Sequence, residues 1–149
     1  MSELTYDITQ IKEALGASTA FRTWTGEASA ALAKGHIYAH HCNDLSDMPV
    51  VVVGLSSAWR RTCESLDGQF HTQPVLLLEF LKATSKSTSD SAAFGGIMDD
   101  VSGIMESIES GSTYRIDAWY PEDETTPTRD TEATPQIVSC RIIVEGNVR

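Results

Sequence analysis

The sequence predicts an α+β domain in which helices pack on one face of a mostly antiparallel sheet. Three observations carry that expectation. Apolar, alternating stretches flank Asp67-Gly68, the dipeptide of a tight hairpin turn. One strongly amphipathic helix follows, with Phe94, Ile97, Met98, Val101, Ile104, Met105 and Ile108 at helical spacing. Further alternating stretches, "TYRIDAWY" and "QIVSCRIIVEGNV", then complete the pattern. The predicted order is helix, three-stranded antiparallel meander, long helix and closing β-hairpin, within a single domain over residues 1–149.

The first helix is capped by Asp7, and Ile8, Ile11 and Leu15 make its apolar stripe. Glu13 lies on its outer face and Gly16 is its natural stop. Residues 17–35 mix small side chains with Phe21 and Trp24. They fit either an extended loop around Trp24 or a short helix over 27–34, and a loop of that length is uncommon in a domain unless it serves a partner. "HIYAHH" is a short strand.

Pro49 then opens a long strand through "VVVVGLSSAWRRTCES", rich in β-branched residues at its start. From Gly54 onward Leu55, Ser57, Trp59, Arg61 and Cys63 share one face, and Ser56, Ala58, Arg60 and Thr62 the other. The return strand "HTQPVLLLEFLKAT" is apolar on both faces, as expected if one meets helices and the other a partner or second layer.

After the polar linker "SKSTSD", Ser89 or Asp90 caps the long helix, whose Gly103 predicts close approach to a sheet and whose end is set by Gly111. Tyr114–Tyr120 pairs with the last strand across residues 121–136, an acidic, Thr/Pro-rich loop unable to support a core.

Composition narrows the function classes. Lys and Arg number 11 against 21 Asp and Glu, giving a net charge of -10. That balance opposes general affinity for nucleic acid. No apolar run approaches the roughly 20 residues of a membrane span, and the polar, acidic start lacks a signal-peptide pattern. Cys42, Cys63 and Cys140 have no framework spacing, which predicts a reducing compartment and small core-filling roles.

"GHIYAHHCND" concentrates His36, His40, His41 and Cys42. In a strand, alternation puts His36 and His40 on one side and His41 on the other. His40 and Cys42 are then the metal-ligand candidates, with His71 reaching in from a neighbouring strand, since zinc needs three or four convergent N or S ligands. The plainer reading, a strand end running into the polar turn "CNDLSD", outweighs it. No HExxH, Cys-Cys knuckle, GxSxG elbow or phosphate-binding Gly-rich loop ending in Lys-Ser/Thr is present. Asp99-Asp100 and Glu122–Glu124 read as solvated acidic runs. No catalytic residue and no cofactor is assigned.

The order of elements carries more. A short N-terminal helix, "IYAH" followed by "MPVVVVG", a hairpin into "PVLLLEFLKAT", the helix "FGGIMDDVSGIMESI", then "YRIDAWYPED" and "QIVSCRIIVEG" resemble the tail-terminator, tail-completion and neck (head–tail joining) proteins of long-tailed bacteriophages, over nearly the whole chain.

The resemblance implies a non-catalytic protomer of a ring, commonly a hexamer, in the virion of a phage or prophage, made in the bacterial host cytoplasm. It implies copies of itself and tail-tube or head-connector proteins as partners, with no specific nucleic-acid binding and no membrane. Residues 17–35, bulkier than the family's helix-to-strand link, and the acidic loop would reach adjacent rings. Trp24, Arg60, Arg61, Trp119, Glu122, Asp123 and Glu124 are the interface candidates, because exposed Trp and Arg dominate interface energetics. The competing readings are a small metal-dependent hydrolase using His36, His40, His41 and Cys42, and a bacterial adaptor domain that forms no ring.

Overall fold

The structure, a computed structural model, describes residues 3–42, 45–56, 60–63, 70–73, 75–109 and 114–148. Its elements are α1 (Glu3–Ala17), α2 (Thr19–Thr25), α3 (Ala30–Lys34), β1 (Ile37–Ala39), a 3-10 turn (Leu45–Asp47), β2 (Val50–Leu55), β3 (Arg60–Cys63), β4 (Phe70–Gln73), β5 (Leu76–Thr84), α4 (Asp90–Glu109), β6 (Tyr114–Pro121), β7 (Thr128–Asp130) and β8 (Gln136–Val148). The α+β class is as the sequence predicts.

Ile11 and Leu15 of α1 are fully buried and Ile8 nearly so. The helix starts before Asp7, and Gly16 lies in its last turn rather than ending it. A Cβ on Gly16 would sit 2.6 Å from Lys34 Cγ, so the missing side chain lets α3 lie against α1.

Residues 17–35 form helices rather than a loop. Ser18 caps α2 by accepting from the Phe21 amide at 3.1 Å. Gly26, at φ 76°, ends α2 in the left-handed region that favours glycine. Ser29 caps α3 in the same manner, accepting from Leu32 N at 3.2 Å. Phe21 and Ala33 are fully buried, which anchors both short helices to the core.

The six-stranded sheet has the order β1-β2-β5-β8-β6, with β7 also on β8. The expected antiparallel meander is corrected at its first step, because β1 runs parallel to β2. His36 explains the direction. Its carbonyl accepts from Val51 N at 2.9 Å, and its ring binds the Asp47 and Pro49 carbonyls, so the returning chain is fixed beside the start of β1.

The predicted long strand also stops early. β2 ends at Leu55, Ser56 N donates to Val75 O at 2.7 Å, and β3 and β4 form a separate two-stranded sheet. The face assignments of Ser57, Ala58 and Trp59, the Asp67-Gly68 turn and the Gly111 cap fall outside the described residues.

Ser89, not Asp90, caps α4, accepting from Ala92 N at 3.2 Å. Met98 is 48 % exposed, off the buried stripe. Gly103 approaches nothing: no atom lies within 4 Å of where its Cβ would be. Instead it lines a shallow groove between α2 and α4.

The helix-covered face of the sheet carries Val51, Val53, Leu76, Leu78, Phe80, Val138, Cys140, Ile142 and Val144, packed with Ile97, Val101, Ile104 and Met105 of α4. The Trp24 ring meets Phe80 edge-on at 5.7 Å and Phe21 at 5.9 Å. Burial pushes the Cys140 thiol pKa up, consistent with a core filler.

β8 holds β5 along one side and β6 and β7 along the other. The 121–136 segment is therefore not bare loop. It contains β7, and the Arg129 side chain is only 8 % exposed. Its guanidinium donates to Ser85 O and Thr88 O, each at 2.9 Å, to Asp90 Oδ1 at 2.8 Å and to Gln136 Oε1 at 3.0 Å. β6 has a bulge between Ile116 and Ala118, where it passes Gly146 of β8. Among the described residues no helix is long and apolar enough to cross a membrane.

Candidate functional site

The histidine-rich stretch is divided in space. β1 ends at Ala39, so the alternation expected from His36 to His41 does not extend over it. His36 turns inward. Its Nδ1 lies 2.8 Å from the carbonyl oxygens of both Asp47 and Pro49, and its Nε2 lies 3.0 Å from Glu27 Oε1. All three partners accept, so the ring satisfies them with both nitrogens protonated. Burial opposes the charge, but the Glu27 hydrogen bond and the two carbonyls outweigh it and raise the pKa above 6.5.

That raised value makes a testable contribution to stability. The cation's share is present in full below pH 6.5, the unfolded value, and is lost as pH rises through the folded one. Melting temperature measured over about pH 5.5 to 8.5 is expected to fall with pH more steeply in the wild type than in His36→Gln. Parallel profiles would exclude His36 from the pH response.

His40 has left the strand and sits at φ 69°, a left-handed position uncommon for a residue with a Cβ. Its amide donates to Val53 O at 2.8 Å, which fixes the turn. His41 is exposed and Cys42 is half-buried. His71 lies on β4 opposite Thr62, in the other sheet from β2 and its neighbours, and its side chain falls outside the described residues, as do those of Arg60 and Arg61 on β3. Among the described residues, no group of three or more His, Cys, Asp or Glu is placed to hold a metal ion.

The aromatic interface candidates are partly engaged within the chain. Trp24 Nε1 donates to Asp100 Oδ2 at 3.1 Å, and Lys82 Nζ donates to the same oxygen at 2.6 Å. Trp119 Nε1 donates to Glu109 Oε1 at 2.6 Å, and its ring packs against the core.

The sheet face away from the helices is different in character. Val52, Leu77 and Leu81 are half-buried there, and Tyr120 is 41 % exposed. Arg141 sits among them, its Nε 2.7 Å from Glu122 Oε2 and 3.6 Å from Glu79 Oε2. The 2.7 Å contact is a charge pair without hydrogen-bond alignment, while Nη2 donates to Glu122 Oε1 at 3.2 Å. Asp123, at the following turn, accepts from the Thr125 hydroxyl and from its amide at 2.8 Å, and these bonds hold its carboxyl below the usual carboxylate range. Glu124 is exposed.

Two concavities meet at His40. One, about 340 Å³, lies on the open sheet face between His40, Glu79 and Arg141. The other, about 630 Å³, lies between α1 and α3 and is walled by Lys12, Glu13 and Lys34. Lys34 Nζ binds Glu13 Oε1 at 2.9 Å. Sequence patterning did not find this cleft. Lys12 and Lys34 look like ordinary solvated lysines until α3 forms and lies against α1 at Gly16. The only local signals were Ser29 and Gly35 flanking a five-residue helix.

Comparison with known proteins adds no relative: no protein-family model matches the chain, and no curated protein matches it.

Proposed function

We propose that this chain is a structural protein that assembles into a ring at the tail end or head–tail junction of a long-tailed phage or prophage, and acts by assembly rather than catalysis. The observation that carries the reading is the one-sided sheet. Helices bury one face, while the other presents half-buried Val52, Leu77 and Leu81 with exposed Tyr120 around the Arg141 charge pair. Apolar side chains with an aromatic ring and an Arg among them are residue types favoured in contact surfaces.

The element order and its resemblance to tail-terminator and neck proteins support the same reading. In that setting its partners are copies of itself and tail-tube or head-connector proteins, and its place is the virion. The net charge of -10 suits a lumen through which DNA slides without sticking.

Native mass spectrometry across a concentration series tests the reading. A single discrete ring mass is the expected result. A strict monomer at every concentration would overturn it and leave the adaptor reading in its place.

A further inference from the structure

We propose that the cleft between α1 and α3 is the receiving half of a head-to-tail contact, and that the acidic turn after β6 of a second copy enters it. The inference rests on the ring reading and names the joint that would build the ring.

Charge singles out the cleft. The chain carries only 11 Lys and Arg against 21 acids, yet Lys12 and Lys34 share the walls of this one 630 Å³ concavity, with His40 at its edge. The acid on those walls, Glu13, is already held by Lys34 at 2.9 Å. Lys12 has no ion-pair partner among the described residues, so its charge is left for an outside anion. The cleft floor includes Ile8, which keeps one wall apolar and strengthens a charge contact made there. His40, set in the left-handed region and tied to Val53, holds the rim in a fixed conformation.

The acidic turn is a matching, pre-formed group. Glu122 is fixed by Arg141, and its amide donates to Arg141 O at 2.9 Å. Asp123 closes the turn onto Thr125, which leaves Glu124 projecting as an exposed carboxylate. An ordered turn loses little conformational freedom on docking. Asp130 and Glu132 extend the same sign of charge along that edge.

Topology decides which molecule supplies the turn. The cleft borders β1 and the turn follows β6, and these strands are the opposite edges of the order β1-β2-β5-β8-β6. They stand four interstrand steps apart, or roughly 19 Å. The turn therefore does not reach the cleft of its own chain, and each copy offers one donor edge and one acceptor edge. A contact of that kind is heterologous: repeated, it closes into a ring where the rotation per copy divides the circle.

The test is charge reversal read by sedimentation equilibrium and native mass spectrometry, with circular dichroism to confirm folding. Lys12→Glu and Glu124→Lys are each expected to weaken self-association by about tenfold or more, and the double variant Lys12→Glu/Glu124→Lys to restore it. Wild-type association is expected to weaken with added salt, since exposed charges are screened beyond about 8 Å at physiological ionic strength. Folded single variants that assemble like the wild type would overturn this contact while leaving the ring intact. Single variants that weaken without rescue in the double variant would overturn the pairing of these two sites. A wild type that is monomeric throughout would instead sink the ring reading, and this joint with it.

Discussion

Replacing Gly146 by alanine is expected to destabilise the fold by about 3 kcal/mol, near the top of the usual range for overpacking. A Cβ there would stand 2.2 Å from Arg115 O, 2.8 Å from Tyr114 Cε1 and 3.2 Å from Arg115 C. The nearest obstacle is backbone, which cannot swing aside as a long side chain can. Tyr114 is itself 1 % exposed and has no room to retreat. Relief requires β6 to move away from β8 at the bulge beside Ile116, and ladder hydrogen bonds are lost with it. Urea denaturation of Gly146→Ala measures the loss. Gly95→Ala serves as the opposite control. Gly95 is exposed in α4 with nothing within 4 Å of its Cβ position, so alanine there is expected to stabilise by about 1 kcal/mol. If both variants gain stability, the close approach of β6 to β8 is wrong.

The second large effect belongs to Arg129. Its truncation to alanine is expected to cost about 2 to 3 kcal/mol, because hydrogen bonds from a charged donor contribute more than neutral ones. The guanidinium reaches the carbonyls of Ser85 and Thr88, the Asp90 carboxylate and the Gln136 amide oxygen from a side chain that is 8 % exposed. These bonds join β7 to the turn between β5 and α4. Arg129→Lys is expected to recover only part of the loss, since a point charge does not match a planar fork. Asp90→Asn should cost under about 1 kcal/mol, because Asp90 is 75 % exposed. Hydrogen exchange of the β7 amides localises the effect. Unchanged protection in Arg129→Ala would mean that β7 is held by its ladder alone.

These two positions also show what patterning can and cannot read. The long helix, β5, β6 and β8 were legible because each repeats its apolar period often enough to stand out. The α+β class followed from them. β1 spans only Ile37–Ala39, and nothing within three residues encodes strand direction; that was decided by the His36 ring and carbonyl holding a distant turn. α2 and α3 carried their caps, Ser18, Gly26 and Ser29, but Phe21 and Ala33 are too few to make a stripe. β7 reads Thr-Arg-Asp, polar throughout; it pairs with β8 while the Arg129 side chain binds Ser85, Thr88, Asp90 and Gln136, all remote from it in pattern. The histidine stretch is the converse case. Density in sequence is not convergence, and a strand that stops at Ala39 sends His36 and His40 to different surroundings. The α1–α3 cleft was illegible because it exists only after two helices meet at Gly16.

β8 has a consequence for how the protein comes into being. The strand that joins β5 to β6 and β7 is the last of them to be synthesised. Until residues 136–148 leave the ribosome, a nascent chain can assemble no more of this sheet than β1, β2 and β5, with Leu76–Thr84 bare along one side. Such an edge, apolar on both faces, is a template for pairing with another copy of itself. The pairings that quench it join residues far apart in sequence, and contacts of that kind form slowly. The interval between the emergence of β5 and the arrival of β8 is thus the period of greatest exposure to aggregation. Faster translation of the last third of the chain, or a chaperone bound to β5, would shorten or shield it.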